Sequence, residues 1–290
     1  MVSVDQWRQA GDFFEWHGQR VFFRVGGEGE ALLLVHGFPT ASWDWAAVWP
    51  ELVKRYRVMT LDMIGFGFSA KPRDFNYSLM TQADLFGALL AREKVTSYRM
   101  VAHDMGDSVA QELLARQRGD AQAKIISACV LNGGLFPEAH HPVRVQKLLA
   151  SPLGALVARL SSYRMFARSM RHIWGSTPPS EDELKAMWKL VTENDGTRVM
   201  PQLIGYIAER KHNRERWVGA IVNPPCPVRL INGPLDPVAG ADTIARYREL
   251  VPEANVVELA GVGHYPQVEA PDRVLAAVLE HFGAARASAS

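Results

Sequence analysis

The chain has little cysteine, almost no net charge and no long apolar run, and each shortage removes a class of function. It carries two cysteines in 290 residues, too few for a disulfide framework or a cysteine-based metal site. Cys129 lies in an apolar run and Cys226 between prolines, and both are read as reduced thiols. With 32 basic and 31 acidic residues the formal charge is +1, which argues against nucleic acid or an anionic surface as the main partner. No apolar stretch approaches the roughly 20 residues of a membrane span. The opening residues Met1-Val2-Ser3-Val4-Asp5-Gln6-Trp7 lack the basic-then-apolar pattern of a signal peptide, so a cytoplasmic protein is expected. Repeats and low-complexity tracts are absent, apart from an Ala/Ser tail at 284–290 expected to fray. Gly65-Phe66-Gly67-Phe68-Ser69 lacks the lysine and the strand-turn-helix setting of a phosphate loop and reads as a glycine turn after a strand.

What is present is alternation. A hairpin over Phe13 to His17 and Arg20 to Val25 is followed by apolar strand signals at Ala31 to Val35, Arg57 to Leu61, Tyr98 to Ala102, Ile125 to Leu131, Val228 to Ile231 and Asn255 to Leu259. Helical patterns lie between them, Ser108 to Arg116 among them. The pattern predicts an α/β fold, a mostly parallel eight-stranded sheet with helices on both faces, whose ligands bind outside the carboxyl ends of the strands. Between Leu131 and Val228 the alternation stops. Residues 137–217 read as helical, broken at Pro142, Pro152, Pro178-Pro179 and Pro201, and the expected division is a helical cap (137–217) inserted into a core of 1–136 and 218–290.

Three strand ends carry chemistry. Asp104 sits in Ala102-His103-Asp104-Met105-Gly106 on a tight turn from strand to helix, with small residues two positions to either side. Such a turn holds a nucleophile in a strained conformation. An aspartate there is equally a helix N-cap when taken alone. Leu32-Leu33-Leu34-Val35-His36-Gly37-Phe38-Pro39 runs a strand into a glycine turn, which lets the Phe38 amide point at the reacting centre beside the amide of Met105, an oxyanion hole. His36 then braces that loop at the edge of the pocket. Asp236, in Asn232-Gly233-Pro234-Leu235-Asp236-Pro237, and His264, in Gly261-Val262-Gly263-His264-Tyr265-Pro266, follow later strands, as an orienting acid and a general base would. Nucleophile, acid and histidine in that order, each after a strand, is a far rarer coincidence than a lone capping aspartate.

Through these segments the chain resembles an α/β-hydrolase of the epoxide hydrolase and haloalkane dehalogenase group, and within it the mesoderm-specific transcript-like hydrolases. The resemblance covers nearly the whole length. It rests on His36-Gly-Phe-Pro-Thr40, Leu61-Asp-Met-Ile-Gly-Phe-Gly-Phe-Ser69, His103-Asp-Met-Gly-Asp107, Val109-Ala-Gln-Glu-Leu-Leu114, Asn132-Gly-Gly-Leu-Phe-Pro137, Arg216-Trp-Val-Gly219, Gly233-Pro-Leu-Asp-Pro237 and His264-Tyr-Pro266. It implies an α/β-hydrolase fold and an aspartate nucleophile that forms a covalent alkyl ester. Haloalkane dehalogenases of the group typically place Trp after the nucleophile, where this chain has Met105, and often Asn where it has Phe38. Fluoroacetate-type dehalogenases carry arginines where this chain has Met105-Gly106-Asp107-Ser108. Epoxide hydrolases of the group use cap tyrosines to hydrogen-bond the ring oxygen. Tyr206 matches one such position, in an expected helix from Pro201 to Lys211. Tyr163 matches the second loosely, with a packing role at least as good, and Trp174 is a further pocket-lining candidate.

The expected reaction is opening of an epoxide to a diol. Haloalkane dehalogenation and esterase or lactonase chemistry are the alternatives, and a ligand-binding or scaffold relative is the non-enzymatic one. No cofactor or metal is called for. The expected partners are a small apolar or amphipathic organic substrate and water, with a homodimer as the assembly to test.

Overall fold

The computed structural model describes residues 2–119 and 123–287. The end of the Ala/Ser tail, 288–290, lies outside the described residues, whereas the helix Pro271–Ala287 continues through 284–287, where fraying was expected. The eight strands are β1 (Asp12–Trp16), β2 (Gln19–Gly26), β3 (Ala31–Val35), β4 (Arg57–Leu61), β5 (Ser97–His103), β6 (Lys124–Leu131), β7 (Val228–Asn232) and β8 (Val256–Glu258). They form one sheet in the order β1-β2-β4-β3-β5-β6-β7-β8. β1, β2 and β4 pair antiparallel, and every pairing from β4 through β3 to β8 is parallel. The burial follows from composition: every residue of Ala31-Leu-Leu-Leu-Val35 is buried because helices cover both faces of the parallel part. Edge strand β1 instead buries only Phe14 of its five residues.

The strands agree with the sequence reading to within a residue or two, which is ordinary for element ends. Three helical expectations change. The helix expected from Ser108 begins at Met105, directly on Asp104, because no residue intervenes between β5 and the helix except the turn itself. The helix expected from Pro201 to Lys211 is two helices, Met200–Leu203 and Tyr206–His212, parted at Gly205. Pro201 does not break a helix but occupies its first turn, where its missing N–H is harmless. The helical insertion between β6 and β7 runs on to Val222, past the boundary expected after Trp217. Its last helix, Arg214–Val222, packs on the helix Met105–Arg116. Arg216 Nε and Trp217 Nε1 both donate to Glu112 Oε2, at 2.7 and 2.8 Å, so this helix is fastened to the helix that follows β5.

Because β3 to β8 run parallel, their carboxyl ends share one edge, and the chain leaving β3, β5, β6, β7 and β8 turns there. Among the described residues no helix is long and apolar enough to cross a membrane.

Candidate functional site

Asp104 has φ 50° and ψ −112°, a left-handed conformation that a side chain adopts only where its surroundings impose it. It occupies the N-cap position of the helix Met105–Arg116, yet its side chain makes no capping hydrogen bond. The carboxylate turns away from the helix and accepts from the Phe38 N–H, at 2.9 Å to Oδ2. What imposes the turn is close backbone approach. A Cβ on Gly106 would lie 2.5 Å from the carbonyl oxygens of both Val35 and His36, and one on Gly37 would lie 2.7 Å from the Asp104 Cβ. Gly106→Ala is therefore expected to destabilise the fold by about 1–3 kcal/mol through backbone displacement. A melting temperature unchanged from wild type in a thermal unfolding scan would contradict the tight packing.

The second carboxylate oxygen, Asp104 Oδ1, is buried and has no hydrogen-bond partner among the described residues. His264 Nε2 lies 3.9 Å from it and Arg210 Nη2 4.0 Å. The Met105 N–H is the first of its helix, so the helix ladder supplies it no carbonyl. Burial pushes the Asp104 carboxyl up, but the charges of His264, Arg210 and His103 and the Phe38 amide outweigh it and hold it below its ordinary value. Asp104 is thus an anion in a dry setting, with one oxygen fixed and the other free.

His264 Nδ1 is 2.8 Å from Asp236 Oδ2. A carboxylate at that distance fixes the tautomer, with the proton on Nδ1 and Nε2 toward Asp104. Asp236 is itself held, accepting from the amides of Val238 (2.8 Å) and Ala239 (3.1 Å) and from Asn132 Nδ2 (3.0 Å). Burial alone would lower the His264 pKa. The Asp236 carboxylate, by charge and by hydrogen bond, and then Asp104 outweigh that penalty and push it up to about 9.

The remaining sequence candidates separate. His36 faces away from the site: its Nδ1 is bonded to Gly37 O at 2.9 Å and its Nε2 accepts from the Met63 N–H at 3.0 Å. Burial lowers its pKa to about 4, so it is a neutral brace between two loops. Tyr206 is fully buried, with its ring 6.0 Å from that of Phe38. Burial and the Asp104 charge push its hydroxyl pKa up. Trp174 is buried and stacks on Tyr265, ring centroids 5.3 Å apart. Tyr163 is not brought to the site. Its hydroxyl donates to Glu181 on the exposed side of the insertion, because the residue opens the helix Tyr163–Ile173 whose buried face is Phe166, Ala167, Met170 and Ile173.

Three residues at the site were given no role by the sequence, although Asn132 heads one of the motifs that carry the resemblance. Arg210, fully buried, donates from Nε to Ser108 Oγ (2.6 Å) and from Nη2 to the Asp104 carbonyl (3.0 Å), and lies over the Tyr206 ring at 4.6 Å. Its signal was its spacing, four residues after Tyr206 on one helix face. Gln146 donates from Nε2 to the Tyr206 oxygen (3.3 Å). Its Oε1 accepts from the Val143 N–H (2.9 Å), which fixes the amide orientation, so the Tyr206 oxygen is the acceptor and its own proton is left for another group. Asn132, at φ 44°, bonds both the Gly233 amide (2.8 Å) and Asp236. Nothing local in the sequence marks that role beyond its place after a strand.

The family model described as the alpha/beta hydrolase family matches residues 32–277. The mesoderm-specific transcript homolog protein of Homo sapiens is 41% identical over 283 residues, which cover 93% of this chain and 84% of that protein. The Mycobacterium tuberculosis protein LipZ is 41% identical over 280 residues, covering 96% and 97%. Among solved structures, an alpha/beta hydrolase fold protein from Burkholderia ambifaria superposes with a TM-score of 0.79 at 25% identity, over 93% of this chain and 97% of that one.

Proposed function

The chain belongs to the alpha/beta hydrolase family, and from that premise we propose that it is a hydrolase working through Asp104 as a carbon-directed nucleophile, with an epoxide as substrate. The observation that carries the reading is the division of labour between the two oxygens of Asp104. Oδ2 is held by the Phe38 amide, while Oδ1 is unpartnered and buried beneath the insertion. A serine in the neighbourhood does not compete, because Ser108 lies inside the helix with its hydroxyl engaged by Arg210.

In the first half-reaction Asp104 Oδ1 attacks a ring carbon, the C–O bond breaks, and the Tyr206 hydroxyl donates its uncommitted proton to the departing oxygen. The product is a hydroxyalkyl ester of Asp104. Esterification removes one of the two negative charges beside His264. The imidazole pKa then falls at the stage when a neutral base is required. His264 Nε2 takes a proton from water, the hydroxide adds to the ester carbonyl carbon, and the oxyanion is received by the Phe38 and Met105 amides. Collapse expels the alkoxide, which leaves as the diol by taking the proton of the newly formed carboxyl group and so restores the Asp104 carboxylate; the proton that His264 took from water returns through solvent to the Tyr206 phenolate, while Asp236, held by Asn132, keeps the imidazole oriented. The helical insertion acts as a cap that excludes water from the anion; Asp104 is 1% and His264 4% exposed.

The direct test is turnover of a panel of epoxides, haloalkanes and esters. Epoxide turnover yielding the diol supports the reading, and turnover of haloalkanes or esters without epoxides replaces it. Within that panel, Tyr206→Phe is expected to slow alkylation by epoxides about 10²–10⁴-fold, the usual worth of a placed general acid, while scarcely affecting any alkyl halide. Halide leaves as an anion and needs no proton. Equal losses in single-turnover rates on both substrates would reduce Tyr206 to a packing role.

A further inference from the structure

Residues 139–180 contain no aspartate or glutamate, in a chain that as a whole balances 31 acidic against 32 basic residues. The same stretch holds Arg144, Lys147, Arg159, Arg164, Arg168 and Arg171, all exposed. Among the described residues only Arg171 of these six forms an ion pair, with Glu181 at 2.8 Å. The near-zero net charge therefore conceals a segregated cationic surface on the insertion, one that the chain-wide balance argued against.

The exposed apolar side chains fall on the same stretch. Leu148, Leu153, Leu156, Leu160 and Met165 are each 49–63% exposed, and among the described residues the other exposed large apolar side chains are Met80 and Leu235. Scattered exposed leucines need no explanation, but five within eighteen residues make a patch. Local geometry orders them. Leu153, Leu156 and Leu160 recur at three- and four-residue spacing along the helix Gly154–Arg159, opposite its buried Gly154 and Ala158. The helix Arg144–Leu149 packs beside it, burying Gln146 and Leu149 and leaving Lys147 and Leu148 outside. In the helix Tyr163–Ile173 the buried residues form one face, and Arg164, Met165, Arg168 and Arg171 point outward.

We propose that this face of the insertion docks peripherally on an anionic lipid bilayer, with the leucines and Met165 in the acyl boundary and the arginines on lipid phosphates. Exposed leucines interleaved with cations, in a stretch that itself carries no carboxylate and meets one only where Arg171 pairs with Glu181, suit such an interface, where apolar burial and attraction to anionic headgroups add. A second copy of the chain fits worse, since a symmetric contact would set cations against cations. The proposal goes beyond the reaction and needs none of its chemistry.

The test is flotation of the whole protein with vesicles of phosphatidylcholine alone and of phosphatidylcholine mixed with phosphatidylglycerol, at low and high salt. The protein is expected to float with the anionic vesicles at low salt and far less with the neutral ones, with salt releasing it. Charge reversal in Arg159→Glu/Arg164→Glu/Arg168→Glu is expected to weaken binding about a hundredfold or more, at about fivefold per cation removed. Leu153→Ser/Leu156→Ser/Leu160→Ser is expected to weaken it by a comparable factor. Both sets are surface changes and should keep the wild-type thermal transition and turnover, which separates lost docking from lost folding. Protein that stays with the lipid-free fraction in both compositions overturns the proposal. So does a dimer, seen by analytical ultracentrifugation, that the serine variant dissociates without any vesicle binding by the wild type.

Discussion

Asp104→Ala is expected to abolish turnover of every substrate, by on the order of ten-thousandfold or more, because under the proposed mechanism the variant lacks the atom that forms the bond to carbon. The neighbourhood offers no replacement. Ser108 Oγ is held by Arg210 Nε at 2.6 Å, and Asp107 is committed to the Leu131 amide, with burial pushing its carboxyl pKa well up. The loss must be separated from misfolding, since Asp104 sits at positive φ and carries charge that His264 and Arg210 face. Asp104→Asn keeps the volume and tolerates that backbone conformation better than most residues, so a folded and inactive Asn variant isolates the chemistry. Ser108→Ala is the counterpart, expected to retain substantial activity. Steady-state kinetics on the best substrate of the panel, beside thermal unfolding of each variant, reads the result. Activity of Asp104→Ala near wild type would end the nucleophile assignment.

His264→Gln is expected to form the covalent intermediate and stop there, because alkylation needs no base whereas hydrolysis of the ester does. Intact-protein mass spectrometry after mixing with substrate reports the leaving group directly. An epoxide adds its whole mass, an alkyl halide its mass less hydrogen halide, and an ester that acylates only its acyl part. Peptide mapping should place the adduct on Asp104. An adduct mapping elsewhere, or none despite wild-type turnover, would defeat the covalent mechanism. The same residue sets a pH dependence. The His264 pKa is raised from 6.5 to about 9 in the folded protein, so its pairing with Asp236 and Asp104 stabilises the fold fully below about pH 6.5 and loses that contribution as pH rises through about 9. In Asp104→Asn one of the two carboxylates is gone, and the imidazole titration followed by NMR is expected to move to lower pH. An unmoved titration would remove the charge coupling that times the base in the second half-reaction.

Much of this protein was determined by local sequence. Apolar runs of four to eight residues between helical patterns can only be strands covered on both faces, which makes the sheet parallel and gathers its carboxyl ends on one edge. Asp104, Asp236 and His264 follow strands, so their convergence on that edge was readable from their places along the chain. The Asp104 turn needs Gly106 because the carbonyls of Val35 and His36, where the chain leaves β3, lie at contact distance, so a tertiary requirement left a local signature in the sequence. Tertiary structure alone decided what depended on elements distant in sequence. Whether Asp104 capped its own helix or faced the Phe38 amide depended on a partner 66 residues away. Tyr206 and Tyr163 are indistinguishable as tyrosines in helical segments, and only the way each helix buries one face sends the first toward Asp104 and the second to Glu181 on the surface. Arg210 and Asn132 reach their partners from about 100 residues away. Such contacts leave no periodic trace, because a buried polar group is placed by whatever satisfies it in three dimensions rather than by its neighbours in the chain.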